Sequence, residues 1–269
     1  MENTGAWMTR MLCQVSPRTA VSIKGKFKIV QKMDYPRRDI YLDIESGYEF
    51  FTRLHSCKKE PETVHWIETF IGGREVFYDI GANVGVYSLI AAKSMGGDGK
   101  IFSFEPGFSS FSQLCKNIYL NQCSDSITPL QIALSNKTRL EAFNYSSLEG
   151  IEPGGALHSL GECVDENGKP FIPFWHQKLM GFRLDDLIQE FLLPIPNYIK
   201  LDVDGHELEI LEGGKETLSN PEVKSLLVEI NEGLSKGQRL VQFLEGAGFG
   251  IKSRHLIRES MSNIIFTRM

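Results

Sequence analysis

The sequence predicts a doubly wound α/β fold: a mostly parallel seven-stranded sheet whose last strand runs antiparallel, preceded by a small hairpin and helix. Three observations predict it. From Val76 onward, apolar strand-like runs alternate with stretches of helical periodicity. The first run, Val76-Phe-Tyr-Asp-Ile80, breaks into a glycine-punctuated turn, Gly81-Ala-Asn-Val-Gly85, that opens a helix. The final two strands, near 249–254 and 262–267, leave no room for a helix between them, so they pair as a hairpin and the last runs against the rest.

The elements follow in order. The first twenty residues carry Arg10 and Arg18 but no apolar run as long as a signal core or a membrane span. Lys26-Phe-Lys-Ile-Val-Gln31 and Ile40-Tyr-Leu-Asp-Ile44 read as two strands of a hairpin around the turn-forming Asp34-Tyr-Pro36. Pro61 near its start, Val64, Ile67 and Phe70 at helical spacing, and Gly72-Gly73 after its end mark a helix over 60–70, expected as a lid on the ligand end. Then come strand 76–80, helix 85–95, strand 100–104, helix 109–121 and strand 127–134. Between Leu134 and Arg183 the periodicity fails, and glycines and prolines from Gly150 to Pro173 punctuate an irregular insertion, placed at 140–182. Its Tyr145, His158, Phe171, Phe174, Trp175 and His176 suit an acceptor pocket, although packing explains any one of them better. Strand 198–203, helix 206–214, strand 223–230 and helix 236–246 complete the pattern. The chain therefore divides into an extension, 1–73, and one sheet domain, 74–269.

Composition narrows the classes. At 269 residues and 42% hydrophobic content, the chain holds one well-buried domain with an extension and is too short for two full-sized enzyme domains. A net charge of −5 without a dense Lys/Arg stripe argues against a nucleic-acid partner. Cys13, Cys57, Cys115, Cys123 and Cys163 are odd in number and form no C-x-x-C pair, so neither a disulfide framework nor a zinc knuckle is indicated. A reducing, cytoplasmic location is the expectation.

The candidate site lies at the carboxyl ends of the strands, where open α/β sheets bind ligands. Gly81 and Gly85 bracket Asn83, and the missing Cβ atoms let backbone N–H groups approach a ligand. A dinucleotide fingerprint is not met, because its three glycine positions are Gly81, Asn83 and Val86. Instead Asp79 precedes the first glycine, and Glu105 ends the strand Lys100-Ile-Phe-Ser-Phe104, where a carboxylate accepts both hydrogen bonds of a ribose diol. Asp202 falls at the same edge.

Asp79-x-Gly-x-Asn-x-Gly85 followed by Phe104-Glu-Pro106 resembles the cofactor loop of S-adenosylmethionine-dependent methyltransferases. Arg183-Leu-Asp-Asp-Leu187, the run from Ile199-Lys-Leu-Asp-Val-Asp-Gly-His-Glu to Gly214, and Leu227-Val-Glu-Ile230 resemble the characteristic segments of the FkbM methyltransferase family. The resemblance covers roughly residues 50–267, and its one noted departure is Asp204, where the family more often has Glu. It implies a class I methyltransferase fold of Rossmann-like type, with S-adenosylmethionine held by Asp79, Gly81, Asn83, Gly85, Glu105, Ala133 and Asp202. It also implies O-methylation of a hydroxyl on a small molecule or a glycan. It places Arg53, Glu60 and Thr63 near the cofactor's amino-acid end, although the start of a surface helix explains them better.

An alcohol acceptor must lose its proton as the bond to carbon forms. Asp202, His206 and Glu229 are the catalytic candidates. Asp202 is equally suited to hold the cofactor's ammonium group, and His206, at a helix start, is equally suited to face solvent. Asp202, Asp204 and Glu229 form a carboxylate set able to hold a divalent cation, although no metal is assigned. Asp185 and Asp186 read as caps of the helix they begin. Two other functions compete: a metal-dependent glycosyltransferase using Asp202 and Asp204, which leaves the glycine turn and Glu105 unexplained, and a non-catalytic cofactor-binding module. Replacing Glu105 with Ala is expected to weaken S-adenosylhomocysteine binding by roughly 1.5–3 kcal/mol, the scale of a charged hydrogen bond, measured by calorimetric titration. Unchanged affinity would end the ribose assignment.

Overall fold

The computed structural model describes residues 10–269 apart from 12, 15, 157 and 166. A helix, Pro17–Lys26, precedes an antiparallel hairpin of β1 (Val30–Lys32) and β2 (Tyr41–Asp43). Next come β3 (Val76–Ile80), β4 (Lys100–Phe104) and β5 (Ile127–Leu130), then the insertion strands β6 (Ala133–Leu134), β7 (Arg139–Tyr145), β8 (His158–Leu160) and β9 (Trp175–Phe182). Finally, β10 (Tyr198–Leu201), β11 (Ser225–Asn231), β12 (Phe249–Arg258) and β13 (Met261–Arg268) complete the chain.

The main sheet has the order β12-β13-β11-β10-β3-β4-β5. Strands β11, β10, β3, β4 and β5 are parallel, and β13 is antiparallel to both β11 and β12, as the short final hairpin requires. The central strands β3 and β10 are buried almost end to end, which explains their continuous apolar runs. Helices Val86–Ser94 and Phe108–Leu120 cover one face, and helices Leu184–Phe191, Glu207–Gly213 and Ser235–Gly246 cover the other, each over its own apolar core.

Several elements differ from the sequence reading. Lys26 closes the first helix, and of the expected first hairpin strand Val30–Lys32 form the strand opposite Tyr41–Asp43, with Ile29 O accepting from Ile44 N just before it. The helix Pro61–Phe70 is not poised over the strand ends. It packs onto the sheet, because its apolar stripe of Val64, Trp66 and Ile67 is buried there. Trp66 is wholly buried, meets Phe77 and Tyr198 edge-on at 6.0 and 6.2 Å, and donates Nε1–H to Ser225 Oγ at 3.0 Å. The expected strand 127–134 splits, since Ala133–Leu134 leave β4 to pair with β9. Strand 198–203 stops at Leu201, where Asp204 and Gly205 take positive φ angles of 56° and 100° and turn the chain.

The insertion is not irregular. It holds a second sheet in the order β6-β9-β7-β8, with β7 and β9 antiparallel from Arg139 opposite Gly181 to Tyr145 opposite Trp175. Period-2 alternation is lost there because apolar residues lie on both faces, including the exposed Leu140, Trp175 and Met180. Asp185 does not cap its own helix. Its carboxylate accepts from Glu216 N, Thr217 N and Thr217 Oγ1, capping the neighbouring helix Lys215–Ser219, while Asp186 accepts from Arg183 Nη1 at 2.8 Å. Trp66→Ala is expected to lower the unfolding free energy by about 3–5 kcal/mol in urea titration, through the cavity it opens beneath the sheet.

Candidate functional site

The site grows from the turn after β3. Gly81 has φ +82°, and a Cβ there would lie 1.8 Å from the carbonyl oxygen of Asp202. Gly85, at φ +90°, would drive a Cβ to 2.5 Å from Leu114 Cδ1. Asn83 also takes a left-handed conformation, at φ 51°. Only glycine fits the first two positions, and the reason is close packing. The backbone N–H groups of this turn are already used: Gly81 N and Ala82 N donate to Phe104 O, Asn83 N to Glu105 Oε2, Val84 N to Asn83 Oδ1 and Gly85 N to Ala82 O. The expected presentation of those groups to a ligand therefore does not occur; the turn instead locks β3 against β4 and β10.

Glu105 follows β4 and is buried. Its Oε2 accepts from Asn83 N at 2.8 Å and its Oε1 from Gly107 N at 2.7 Å, which leaves acceptor capacity on both oxygens. Burial pushes its pKa up to about 7 against the pull of those two N–H groups and of Arg53. The carboxylate lines a cavity of about 410 Å³, within the range of ~300–1,000 Å³ usual for small-molecule sites. Phe104, Ile132, Ala133 and Phe143 supply its apolar side. Asp202, Asp204, His206 and Glu229 line the same cavity.

Of the cofactor candidates, Gly81, Asn83, Glu105, Ala133 and Asp202 reach the cavity, whereas Asp79 and Gly85 do not. Asp79 has no solvent exposure. Its Oδ2 accepts from Ser88 Oγ at 2.5 Å, its Oδ1 has no hydrogen-bond partner, and burial raises its pKa although Lys200 opposes the shift. Asp202 forms an ion pair with Lys200, Oδ2 to Nζ, at 2.9 Å. Burial pushes the Asp202 carboxyl up, but the charges of Lys200, Lys59 and Arg53 outweigh it and hold the group below its ordinary value.

His206 stands just before the helix Glu207–Gly213, makes no side-chain capping bond to it, and lies on the cavity wall, not in open solvent. Its Nε2 accepts a long hydrogen bond from Leu160 N at 3.4 Å and lies 3.3 Å from Ser159 Oγ. Burial, with Lys236 nearby, lowers its pKa, so the ring is neutral at pH 7. Glu229 is pushed up to about 9 by burial and by the negative charges of Asp202 and Asp204. Among the described residues, no group of three His, Cys, Asp or Glu side chains is arranged to hold a metal ion. From the extension, Tyr48, Thr52, Arg53 and Lys59 line the cavity. Glu60 and Thr63 stay behind it: Glu60 accepts from Tyr87 Oη and Lys59 Nζ, and Thr63 is buried.

Two features escaped the sequence reading. Lys200, 1% exposed within β10, sits 4.9 Å from the Tyr87 ring centroid and beside Asp202; a lone lysine inside the apolar run Tyr198-Ile-Lys-Leu201 was its signal. The insertion also closes the cavity, for Gly154, Gly155 and His158 line it, and Arg53 Nη2 and Asn83 Nδ2 donate to Gly154 O and Gly155 O at 2.7 Å each. That contact joins segments far apart in the chain and leaves no local pattern.

Fold and site together define a doubly wound α/β protein that takes a nucleoside-bearing cofactor at the carboxyl ends of its strands, with an acidic residue after the second of them. More particularly, the chain belongs to the FkbM methyltransferase family, whose domain matches residues 79–251, and its cofactor is S-adenosylmethionine. Hexuronic acid methyltransferase AglP of Haloferax volcanii is 26% identical to it over 182 residues, which are 68% of this chain and 66% of that protein. Methyltransferase sdnD of Sordaria araneosa is 28% identical over 193 residues, covering 64% of this chain and 73% of that one. Among solved structures, Trm5b of Pyrococcus abyssi shares the fold with a TM-score of 0.50 at 12% identity, over 89% of this chain and 55% of that chain. Among the described residues, no helix is long and apolar enough to cross a membrane.

The raised pKa of Glu105 fixes the sign of a pH effect. The folded protein holds this proton up to about pH 7, above the ordinary carboxyl value, so folding stability from this group is lost as pH rises from about 4.5 through 7. Cofactor binding runs the other way, because the ionised carboxylate is the better acceptor for hydroxyl donors. Affinity for S-adenosylhomocysteine is expected to fall as pH drops below 7, and Glu105→Gln to flatten that limb, in calorimetric titrations from pH 8 to 5.5.

Proposed function

We propose that the protein transfers the methyl group of S-adenosylmethionine to an oxygen of a sugar or a related hydroxylated small molecule. The observation that carries this reading is one cavity holding both a diol-accepting carboxylate, Glu105, and a wall of Asp202, His206 and Glu229 that can receive an acceptor. The donor set fits the cofactor: Glu105 for the ribose, the apolar strip of Phe104, Ile132, Ala133 and Phe143 for the base, and the Asp202 anion for the α-ammonium group of the amino-acid end. The name of AglP, a hexuronic acid methyltransferase, supports a sugar acceptor.

When bound, S-adenosylmethionine supplies a methyl group already activated on a sulfonium, with a neutral leaving group. The chain's own work is to orient the acceptor, exclude water and remove one proton. Asp202, kept ionised by Lys200, is a weak base and serves as the anchor. His206, neutral at pH 7 and with Nε2 held only by long contacts to Leu160 N and Ser159 Oγ at 3.4 and 3.3 Å, takes the hydroxyl proton. Glu229, protonated at neutral pH, donates a hydrogen bond to a neighbouring acceptor oxygen. Metal-dependent glycosyl transfer gains no support, since Asp202 is already paired with Lys200.

Incubation with methyl-labelled S-adenosylmethionine and a panel of hexoses, hexuronic acids and polyols is expected to label a sugar. Resistance of the product to mild alkali separates an ether from an ester. His206→Ala is expected to slow transfer by about 10²–10⁴-fold, the usual contribution of a general base. Cofactor binding without label in any oxygen acceptor would refute O-methylation.

A further inference from the structure

Lys200 is an expensive residue. Taking an ammonium group out of water carries a large desolvation cost even after relaxation, and apolar residues of similar volume often replace buried ion pairs with no loss of stability. A lysine serving packing alone has no advantage at this position. Its surroundings show where the charge is directed. Lys200 is opposite Asp79 in the β3–β10 register, and it is two residues from Asp202, whose carboxylate it meets at 2.9 Å. The Tyr87 ring lies 4.9 Å from Nζ, and the hydroxyl of that ring donates to Glu60 Oε2 at 2.7 Å. Asp79, Asp202 and Glu60 thus all favour the charged lysine, and they raise its pKa against the effect of burial. Of these three carboxylates, only Asp202 lines the cavity.

We propose that Lys200 is a positioning residue for methyl transfer: it fixes the Asp202 carboxylate as an aimed, permanent anion on the cavity wall, where that carboxylate receives the α-ammonium group of the cofactor's amino-acid end. The inference rests on the placement of Asp202 against the cofactor given above. The other charges around Asp202 explain why an internal cation is needed. Asp79 on β3, Glu207 on the following helix and Glu229 on β11 each feel the charge of Asp202 and oppose a further negative charge there, and Asp204 adds to the negative charge around Glu229. Arg53 and Lys59 act in the same sense as Lys200, yet Arg53 Nε and Nη2 are bonded to Gly154 O and Lys59 is paired with Glu60. Lys200 is the cation that contacts Asp202 directly. Without it, burial and the surrounding carboxylates push Asp202 towards the protonated, uncharged form.

The sign of the effect follows. A depressed carboxyl pKa keeps the anion, and the binding it supports, down to acid pH; a raised one loses both as pH falls through the raised value. Calorimetric titration with S-adenosylhomocysteine, which retains the amino-acid end, is made from pH 8 to 5 on wild type, Lys200→Met, Lys200→Arg, Asp202→Asn and the Lys200→Met/Asp202→Asn double variant. The Glu105 limb is common to wild type and Lys200→Met, so their ratio isolates Asp202. The wild-type advantage over Lys200→Met is expected to widen as pH falls, approaching tenfold per pH unit, the slope of a single proton. Lys200→Arg is expected to restore the wild-type profile, and the double variant to bind no more weakly than Asp202→Asn.

A Lys200→Met profile parallel to wild type, or a double variant weaker than Asp202→Asn by the full Lys200→Met effect, overturns the proposal. Absence of binding by wild type would instead refute the placement of the cofactor. A carboxyl-detected NMR titration of the wild-type protein, with the Asp202 signal assigned through Asp202→Asn, needs no lysine variant. A signal constant from pH 8 to 5 supports the proposal even where Lys200→Met fails to fold, and titration within that range refutes it.

Discussion

The buried ammonium of Lys200 is the interaction on which the centre of this molecule depends. It extends from β10, opposite Asp79 of β3 and beside the Tyr87 ring, where water cannot compensate a charge, so its carboxylate partners are fixed with it. Asp79 beside it is tied by Ser88 Oγ, which also lies 2.7 Å from Ser103 Oγ on β4. A polar thread therefore crosses β10, β3, the helix Val86–Ser94 and β4 inside an otherwise apolar core. One end of that thread, Asp202, emerges at the cavity wall. The same strands are pressed together at Gly81, whose missing Cβ leaves room for the Asp202 carbonyl.

A second constraint closes the site. Three successive carbonyls of the insertion, those of Pro153, Gly154 and Gly155, accept hydrogen bonds from Ser46 Oγ, Arg53 Nη2 and Asn83 Nδ2 at 2.6, 2.7 and 2.7 Å. The extension, the insertion and the glycine turn are joined at one place. Each polar contact is part-buried, so breaking one leaves a carbonyl to be resolvated and loosens the wall that excludes water. His158 completes the enclosure, its ring edge-on to Phe143 and Tyr145 at 5.2 and 4.8 Å, with burial holding its pKa down to about 4. A neutral imidazole at that position adds polarity to the wall without adding charge.

Much of the fold was legible because its causes are local. Continuous apolar runs mark strands covered on both faces, and the spacing of Gly81 and Gly85 marks a turn that few residues can make. Glu105 was legible for the same reason, as a carboxylate just past a strand end. The insertion sheet was not, because its strands carry apolar residues on both faces and its longest ladder, β7 with β9, draws partners from 30 or more residues away, as Tyr145 and Trp175 do. The helix Pro61–Phe70 showed its apolar stripe but not its address: Val64, Trp66 and Ile67 would suit a lid as well as a sheet face until Ser225 supplied the partner for Trp66.

By itself, then, the sequence determined the alternation of strands and helices, the reversed final strand, the sharp turn at Gly81 and the set of acidic residues at the strand ends. These rest on periodicity, turn chemistry and short-range order, which any segment carries with it. Only the tertiary structure decided how those residues divide their work. It buried Asp79 out of reach, spent the N–H groups of the turn on β4, on Glu105 and within the turn itself, paired Asp202 with Lys200, and brought His206 and Glu229 to the same cavity wall as Glu105. Charge and burial act through space, so a residue's protonation state and its access to a ligand are set by neighbours that the chain brings together only on folding.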